Sequence, residues 1–261
     1  MKSFDKYYCK IEEMIEIKPG IFDMMIIAPE IAGNAKAGQF VHVYVPGHTL
    51  RRPISICQTN GDKLRLVFQV RGQGTVILSK CRAGDTLDVL GPLGKPFPLF
   101  PEKKKVLLVG GGIGVPPLLG LAEYYKSSAS AFLGFRSDEN VILENDFAGV
   151  GAELQITTED GSYGEKGYVS KLFEARDDFD CIYACGPAPM LKSLCAYAEK
   201  KNIPCYISLE ERMACGVGAC LGCACGLIDE NGQDYYGHVC KDGPVFNFKQ
   251  VREFAGEAKS V

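Results

Sequence analysis

The stretch VLLVGGGIGVPPLLG, residues 106–120, passes from an unbroken apolar run into four glycines and then two prolines. A short apolar run ending at a breaker reads as a buried strand. Pro117 suits the first turn of a helix, where no backbone N–H is needed. Between strand and helix, Gly110, Gly112 and Gly114 let the backbone turn sharply and come close to a ligand. The helix that follows offers free N–H groups and a positive dipole end to a pyrophosphate. The spacing is G-x-G-x-G-x-x-P and not the common G-x-G-x-x-G fingerprint. A tight strand-to-helix turn without a ligand is the plainer alternative, but four glycines in five positions exceed what a turn needs.

Downstream, strand and helix patterns keep alternating. SAFLGFRS (130–137), AELQITTED (152–160), DCIYACG (180–186) and PCYISLEE (204–211) read as strands. ENVILENDFAGVG (139–151), YVSKLFEARDD (168–178) and PMLKSLCAYAEKKN (189–202) read as helices. Such alternation predicts a parallel sheet with helices on both faces. Ligands of such sheets bind outside the carboxyl ends of the strands. The loop Ala184-Cys185-Gly186-Pro187-Ala188-Pro189-Met190 can therefore face the glycine loop across one extended ligand.

Upstream the pattern differs. GQFVHVYVPG, RRPISICQ, DKLRLVFQVRG and GDTLDVLGPLG are short apolar or alternating runs between turn residues, which predicts an antiparallel barrel or sandwich. Only residues 74–82 look helical. Arg52-Pro53-Ile54-Ser55 can clamp a phosphate and touch a flat ring, and Gly72-Gln73-Gly74-Thr75 opens the helical stretch as an anion seat. GPLGKPFPLFPEKKK (91–105) is rich in Pro and Gly and marks a boundary. Three segments result: 1–98, a barrel; 99–209, an α/β domain; and 210–261, a tail too short for a generous core of its own.

That tail carries ACGVGACLGCAC, residues 214–225. A net charge of -3 argues against a nucleic-acid binder. The opening MKSFDKYYCKIEEM has no apolar signal-peptide core, and no segment reaches the roughly 18 apolar residues of a bilayer span. A cytoplasmic protein without a membrane partner is expected, and its 12 cysteines are then not a disulfide framework. Cys9, Cys57, Cys81, Cys181, Cys195 and Cys205 are scattered in apolar segments as small hydrophobes. Cys215-x4-Cys220-x2-Cys223 has plant-type [2Fe–2S] spacing, and Cys240, after sixteen intervening residues, supplies a fourth thiolate. Zinc and metal-free structural thiols are the alternatives, although zinc sites more often pair two C-x2-C units. Cys225 is left over. His42, His48 and His238 share no metal-ligand spacing and read as structural or surface groups.

RPIS, GQGT, GPLGKPF, GGGIGVPP and CGPAPM follow one another in the order found in the ferredoxin–NADP reductase superfamily, which the chain resembles over about residues 5–208. The resemblance implies a six-stranded antiparallel barrel for FAD and a parallel α/β domain for NAD(P)H. It makes Arg52, Pro53, Ile54 and Ser55 FAD contacts and Gly74 and Thr75 pyrophosphate contacts. Val67, Phe68 and Gln69 match the strand passing the adenylate side. Gly110, Gly112, Gly114 and Cys185 fall on the nicotinamide-dinucleotide side, with Cys185 the candidate catalytic residue. Two departures stand out. Pro53-Ile54 replaces the Tyr that many members carry between the Arg and Ser, and Gln69 stands where relatives often have a basic residue.

The tail, EERMACGVGACLGCAC with HVCKDGPVF, resembles the electron-transfer subunits of class B dihydroorotate dehydrogenases, extending the likeness to about residue 250. That implies FAD, a [2Fe–2S] cluster and NAD. It also implies a separate FMN-containing catalytic subunit that oxidises dihydroorotate, in a hetero-tetramer with two copies of each chain. The small subunits of NADH-dependent ferredoxin–NADP oxidoreductases share the three-part plan but often have Asp at the first ligand position, where this chain has Cys215. A stand-alone reductase and a redox-sensing regulator are the other readings. Arg136 and Ser137 could receive a 2′-phosphate and Asp138 a ribose, so NAD and NADP both stay open from these residues.

Overall fold

The computed structural model describes residues 6–176 and 178–255. The first residues of the opening stretch and the last six of the tail segment lie outside the described residues.

The first segment closes into a barrel. Its strands are β1 (Lys6–Lys18), β2 (Ile21–Ile27), β3 (Phe40–Val43), β4 (Arg52–Asn60), β5 (Lys63–Gln69) and β6 (Thr86–Leu93). They run in the spatial order β1-β2-β5-β4-β3-β6, every neighbouring pair antiparallel. Alternation decides which side chains fill it: Leu64, Leu66 and Phe68 of β5 are buried within the barrel. Arg65 between them points outward. Two short helices cover it, α1 (Pro29–Ala32) with Ile31 and α2 (Gln73–Leu78) with Leu78. Helix α2 is shorter than the 74–82 stretch expected from sequence.

The second segment is a crossover sheet of β7 (Val106–Gly111), β8 (Ala129–Phe135), β9 (Glu153–Thr158), β10 (Glu165–Lys166), β11 (Cys181–Cys185) and β12 (Cys205–Ser208). All of these are parallel, in the order β10-β9-β8-β7-β11-β12. Both faces are covered. Val106 and Leu108 of β7 pack on the side of α3 (Leu119–Tyr125) and α4 (Glu144–Gly149). Leu107 and Val109 pack on the side of α5 (Ser170–Glu174) and α6 (Ala188–Lys201). Fully burying each such side chain is worth about 1.5–3 kcal/mol.

Two helices differ from expectation. The glycine loop does not lead straight into α3, because 3-10 turns at Gly112–Gly114 and Pro116–Leu118 come first. Consecutive prolines lack the N–H groups that would continue a helix begun at the glycines. The stretch 139–151 is split into the end of a 3-10 turn (Asp138–Asn140) and α4, since Leu143 takes a left-handed φ of 60° just before α4.

The tail forms a hairpin of β13 (Ala224–Ile228) and β14 (Asp234–His238), then α7 (Val239–Asp242), then β15 (Val245–Asn247). β15 pairs antiparallel with β12, so the tail supplies the edge strand of the crossover sheet. Val239, Cys240, Phe246 and Phe248 join the same core as Leu191 and Ile207. The tail is therefore not freestanding: burial against the second segment holds it, in addition to whatever its cysteines bind.

The barrel is clamped to the sheet domain through Arg65. Its guanidinium contacts both oxygens of Asp23 on β2 (2.9 and 3.1 Å from Nε) and pairs with Asp146 on α4. Nearby, Gln58 of β4 donates to Glu123 of α3.

Candidate functional site: two nucleotide seats and a sulfur-lined loop

The start of β4 and the loop before α2 form the first seat. Along β4, Ile54 and Ile56 turn into the barrel while Pro53 and Ser55 face out. Ile54 can thus offer a ligand only its backbone. The guanidinium of Arg52 lies over Gly74, filling the place of a side chain there, so the two sequence motifs form one structure. Arg52 is steadied by the Leu50 carbonyl (2.5 Å) and by Nδ1 of His48 (3.3 Å). The Thr75 hydroxyl accepts from the N–H groups of Arg71 (2.9 Å) and Gly72 (3.1 Å), so its work is to shape the loop.

Two cavities open here. One, of about 570 Å³, is lined by His48, Val70, Arg71, Gly72, Gln73 and Val76. The other, of about 530 Å³, lies between Leu50–Pro53 and Glu210–Met213. Gln69 joins the rim by accepting from Arg71 Nε (3.2 Å). Val67 and Phe68 do not reach it with their side chains: Val67 is buried toward the sheet domain and Phe68 stacks on Phe22 at 5.6 Å. A bare, arginine-flanked loop beside two open cavities suits the phosphates of a dinucleotide.

The second seat lies where the strand order reverses between β7 and β11, the switch point at which open α/β sheets bind ligands. The two loops expected to face each other do so. A Cβ on Gly114 would run into the Cys185 carbonyl, and one on Gly186 would come 3.0 Å from the Gly111 nitrogen. Gly110 is confined by Val115. Gly112 has φ 52° and open space in front of it, leaving backbone bare for a ligand.

The Cys185 thiol is pushed up to about 12 by burial, against a hydrogen bond with Ser208. At neutral pH it is a neutral S–H group lining the seat, not a thiolate nucleophile. At the far end, past β8, the Asp138 N–H donates to Ser162 Oγ (2.8 Å), and that hydroxyl donates to Asp160 (2.7 Å). Glu144 accepts from Tyr163 nearby (2.7 Å). Lys18 Nζ donates to the Asp138 carbonyl (3.0 Å) and pairs with its carboxylate (3.9 Å), so charges of both signs meet at this end.

The third element is the loop 215–223. Gly216 and Gly218 take φ of 73° and 77°, which curls the chain so that successive N–H groups point at sulfur. Val217 (3.5 Å) and Ala219 (3.3 Å) donate to Cys215 Sγ, Gly222 (3.4 Å) to Cys220 Sγ, and Gly218 (3.2 Å) to Cys240 Sγ on α7. Burial opposes ionisation of Cys215, yet the donors from Val217, Cys220 and Ala219 bring it down to about 6. At Cys215 the loop N–H groups favour a thiolate, while burial and Cys223 push the Cys240 thiol up to about 12. Cys215 contacts Cys220, and Cys223 contacts Cys240. Four thiols brought together by the loop and α7 suit a [2Fe–2S] cluster. Cys225 sits on β13 opposite Gly237, its thiol pushed up to about 11 by burial, Glu211 and Cys223.

Glu210–Met213 lines the flavin-side cavity, and Cys215 follows two residues later, so the first seat and the sulfur loop adjoin. Sequence reasoning assigned His42 and His48 only as structural or surface groups and did not name Met213. His42 sits in the apolar run FVHV, where a buried polar residue was the available signal.

A closed barrel with an arginine–glycine seat, docked on a crossover sheet with a glycine loop at its switch point, defines a flavin-dependent nicotinamide reductase, here extended by an iron–sulfur loop. The family model for the iron-sulfur cluster binding domain of dihydroorotate dehydrogenase B matches residues 210–252. The dihydroorotate dehydrogenase B (NAD(+)) electron transfer subunit of Geobacillus sp. (strain WCH70) is 44% identical over 246 residues, covering 90% of this chain and 94% of that one. The Streptococcus mutans counterpart is 43% identical over 251 residues, with the same coverages of 90% and 94%. The chain belongs to the family of dihydroorotate dehydrogenase B electron transfer subunits.

Among solved structures, the NADH-dependent reduced ferredoxin–NADP oxidoreductase superposes with a TM-score of 0.82 at 30% identity, over 96% of this chain and 91% of that one. The cytochrome b5 reductase domain of Ulva prolifera nitrate reductase shares the fold, with a TM-score of 0.64 at 18% identity over 76% of this chain and 94% of that one.

Proposed function

We propose that this chain relays electrons between NAD and a catalytic subunit that oxidises dihydroorotate to orotate. The observation that carries this is the contiguity of its three elements: Glu210–Met213 walls the flavin-side cavity and leads directly into a four-cysteine loop. When bound, nicotinamide supplies hydride exchange, the cluster single-electron exchange and the flavin both, which calls for a flavin seat between the other two.

The chain's own residues bind and orient. Arg52, with Gly74 and the 71–74 backbone, holds the FAD phosphates, while Pro53, Ser55 and the Ile54 backbone border its ring. Gly110, Gly112 and Gly114 admit the dinucleotide, with Cys185 as a neutral contact on its nicotinamide side. The likeness to subunits named for NAD(+) favours NAD, with Asp138 the candidate partner of its ribose. Cys215, Cys220, Cys223 and Cys240 hold the [2Fe–2S] cluster, with loop N–H groups donating to Cys215, Cys220 and Cys240. The division into 1–98, 99–209 and 210–261 follows these three tasks.

The partner on this reading carries FMN, the assembly has two copies of each chain, and it works in the cytoplasm. Among the described residues no helix is long and apolar enough to cross a membrane. Identity of 41–46% to dihydroorotate dehydrogenase B subunits, against 30% to the ferredoxin–NADP oxidoreductase, and cysteine at position 215, support this partner over a ferredoxin-linked one. Affinity purification from the native host, with metal analysis and identification of copurifying chains, tests the proposal. An FMN-bearing dihydroorotate dehydrogenase subunit is expected. A glutamate-synthase-like partner, or zinc in place of iron, would overturn it.

A further inference from the structure

Of the chain's three histidines only His42 is fully buried. It lies on β3 directly opposite Pro53 of β4, one residue from the arginine that anchors the flavin seat. Its ring also reaches the sulfur loop. A Cβ on Gly216 would sit 3.0 Å from His42 Cε1 and 3.2 Å from Cγ, and nearer still to Nδ1, so the ring packs flush on the backbone next to Cys215. Phe40 meets the ring edge-on at 6.4 Å. Arg51 donates to the His42 carbonyl (3.3 Å) and is fixed by Asp88 (2.8 Å).

Neither ring nitrogen makes a regular hydrogen bond. The polar groups facing them are the backbones of Cys215 and Arg51. Burying an imidazole on such terms is costly, and leucine or phenylalanine would fill the same space without that cost. Packing alone does not account for histidine here.

We propose that His42 is a positioning residue that couples the flavin strand to the first cluster ligand. Its imidazole, aimed at the Cys215 backbone, sets the Gly216 turn in register with β3 and β4 and thereby fixes how the cluster lies relative to the flavin. This rests on the cofactor assignment above. Gly216 is glycine for two reasons, its positive φ and the ring lying against it.

The test uses the complete protein with its cofactors, as wild type and as His42→Phe, His42→Asn and His42→Gln. Iron and FAD contents, and reduction of FAD by NADH, test the cofactor assignment itself; a wild-type chain lacking either cofactor would sink that assignment first. The EPR g values of the reduced cluster, its potential, and its rate of reduction by NADH test His42. With His42→Phe, iron and FAD contents and FAD reduction stay at wild-type level, the g values and potential shift, and cluster reduction slows at least tenfold. Wild-type g values and cluster reduction in that variant would overturn the proposal. Should His42→Phe fail to assemble, the amides decide. Asn, whose amide falls near the Nδ1 position, keeps wild-type g values and rate, whereas Gln, whose amide falls near Nε2, does not. Equal behaviour of the two would overturn the proposal.

Discussion

The guanidinium of Arg52 occupies the space that a side chain at residue 74 would need. One residue supplies the charge of the flavin seat and the other the room for it. Each loses its use without the other.

Gly74→Ala should therefore mimic loss of the arginine. A charge-assisted contact to phosphate is worth about 1.5–3 kcal/mol, so FAD affinity should fall roughly 10- to 100-fold. Flavin titration of the apoprotein measures this. Arg52→Ala should weaken FAD comparably, and the double variant should be little worse than either single one. Wild-type affinity in Gly74→Ala would place the phosphates elsewhere.

The cysteines divide by their donors. Cys240 Sγ accepts from the Gly218 N–H of the sulfur loop at 3.2 Å, whereas Cys225 lies on the β13–β14 hairpin opposite Gly237. Cys225→Ser should keep about two irons per chain and the visible spectrum of a [2Fe–2S] protein, and Cys240→Ser should lose both. The opposite pattern in iron analysis would refute the ligand set.

Arg65 joins the barrel to α4 through Asp23 and Asp146, and its side chain is only 16% exposed. Removing one member of a buried pair costs about 3–5 kcal/mol. With partial exposure, Arg65→Met should cost about 2–3 kcal/mol, lowering the melting temperature by roughly 5–10 °C for a chain of this size. Thermal denaturation of the flavin-loaded protein checks this; an unchanged midpoint would mean the two units do not rely on that clamp.

Acid should unfold the protein partly through Glu153. Its carboxyl is lowered from the usual 4.5 by the Ser130 hydroxyl (2.6 Å) and by Arg176 (2.9 Å), against a smaller opposing effect of burial. A depressed folded pKa gives stability that is complete above the unfolded value and is lost as pH falls through the folded value. Glu153→Gln should flatten the decline in melting temperature below about pH 4.5 and leave the neutral region nearly parallel to wild type. An identical acid limb in both proteins would remove Glu153 from that role.

Much of this was legible from local signals. The glycine loop, the RPIS and GQGT motifs and the cysteine spacing each keep their chemistry within a few consecutive residues, where turn and ligand rules apply. What stayed hidden depends on contacts between distant parts of the chain. Nothing local in Val245–Asn247 says that it will pair with β12, which makes the tail an edge of the sheet domain. The same holds for Gly114 against Cys185 and for Arg52 over Gly74. Ile54 and Phe68, named from motif likeness, turn into the barrel because strand alternation decides side-chain direction whatever the motif. His42 shows the limit most clearly: a histidine in an apolar run signals a buried polar group but not which loop it will face.

The most direct test of the central claim is NAD reduction driven by dihydroorotate. The assay compares this chain alone, its copurified catalytic subunit alone, and the two reconstituted together. Only the reconstituted complex should form NADH from dihydroorotate, with Cys240→Ser reducing the rate at least 100-fold while NADH still reduces the FAD of the isolated variant. Full dihydroorotate-dependent NADH formation without this chain, or with the Cys240→Ser chain, would contradict it.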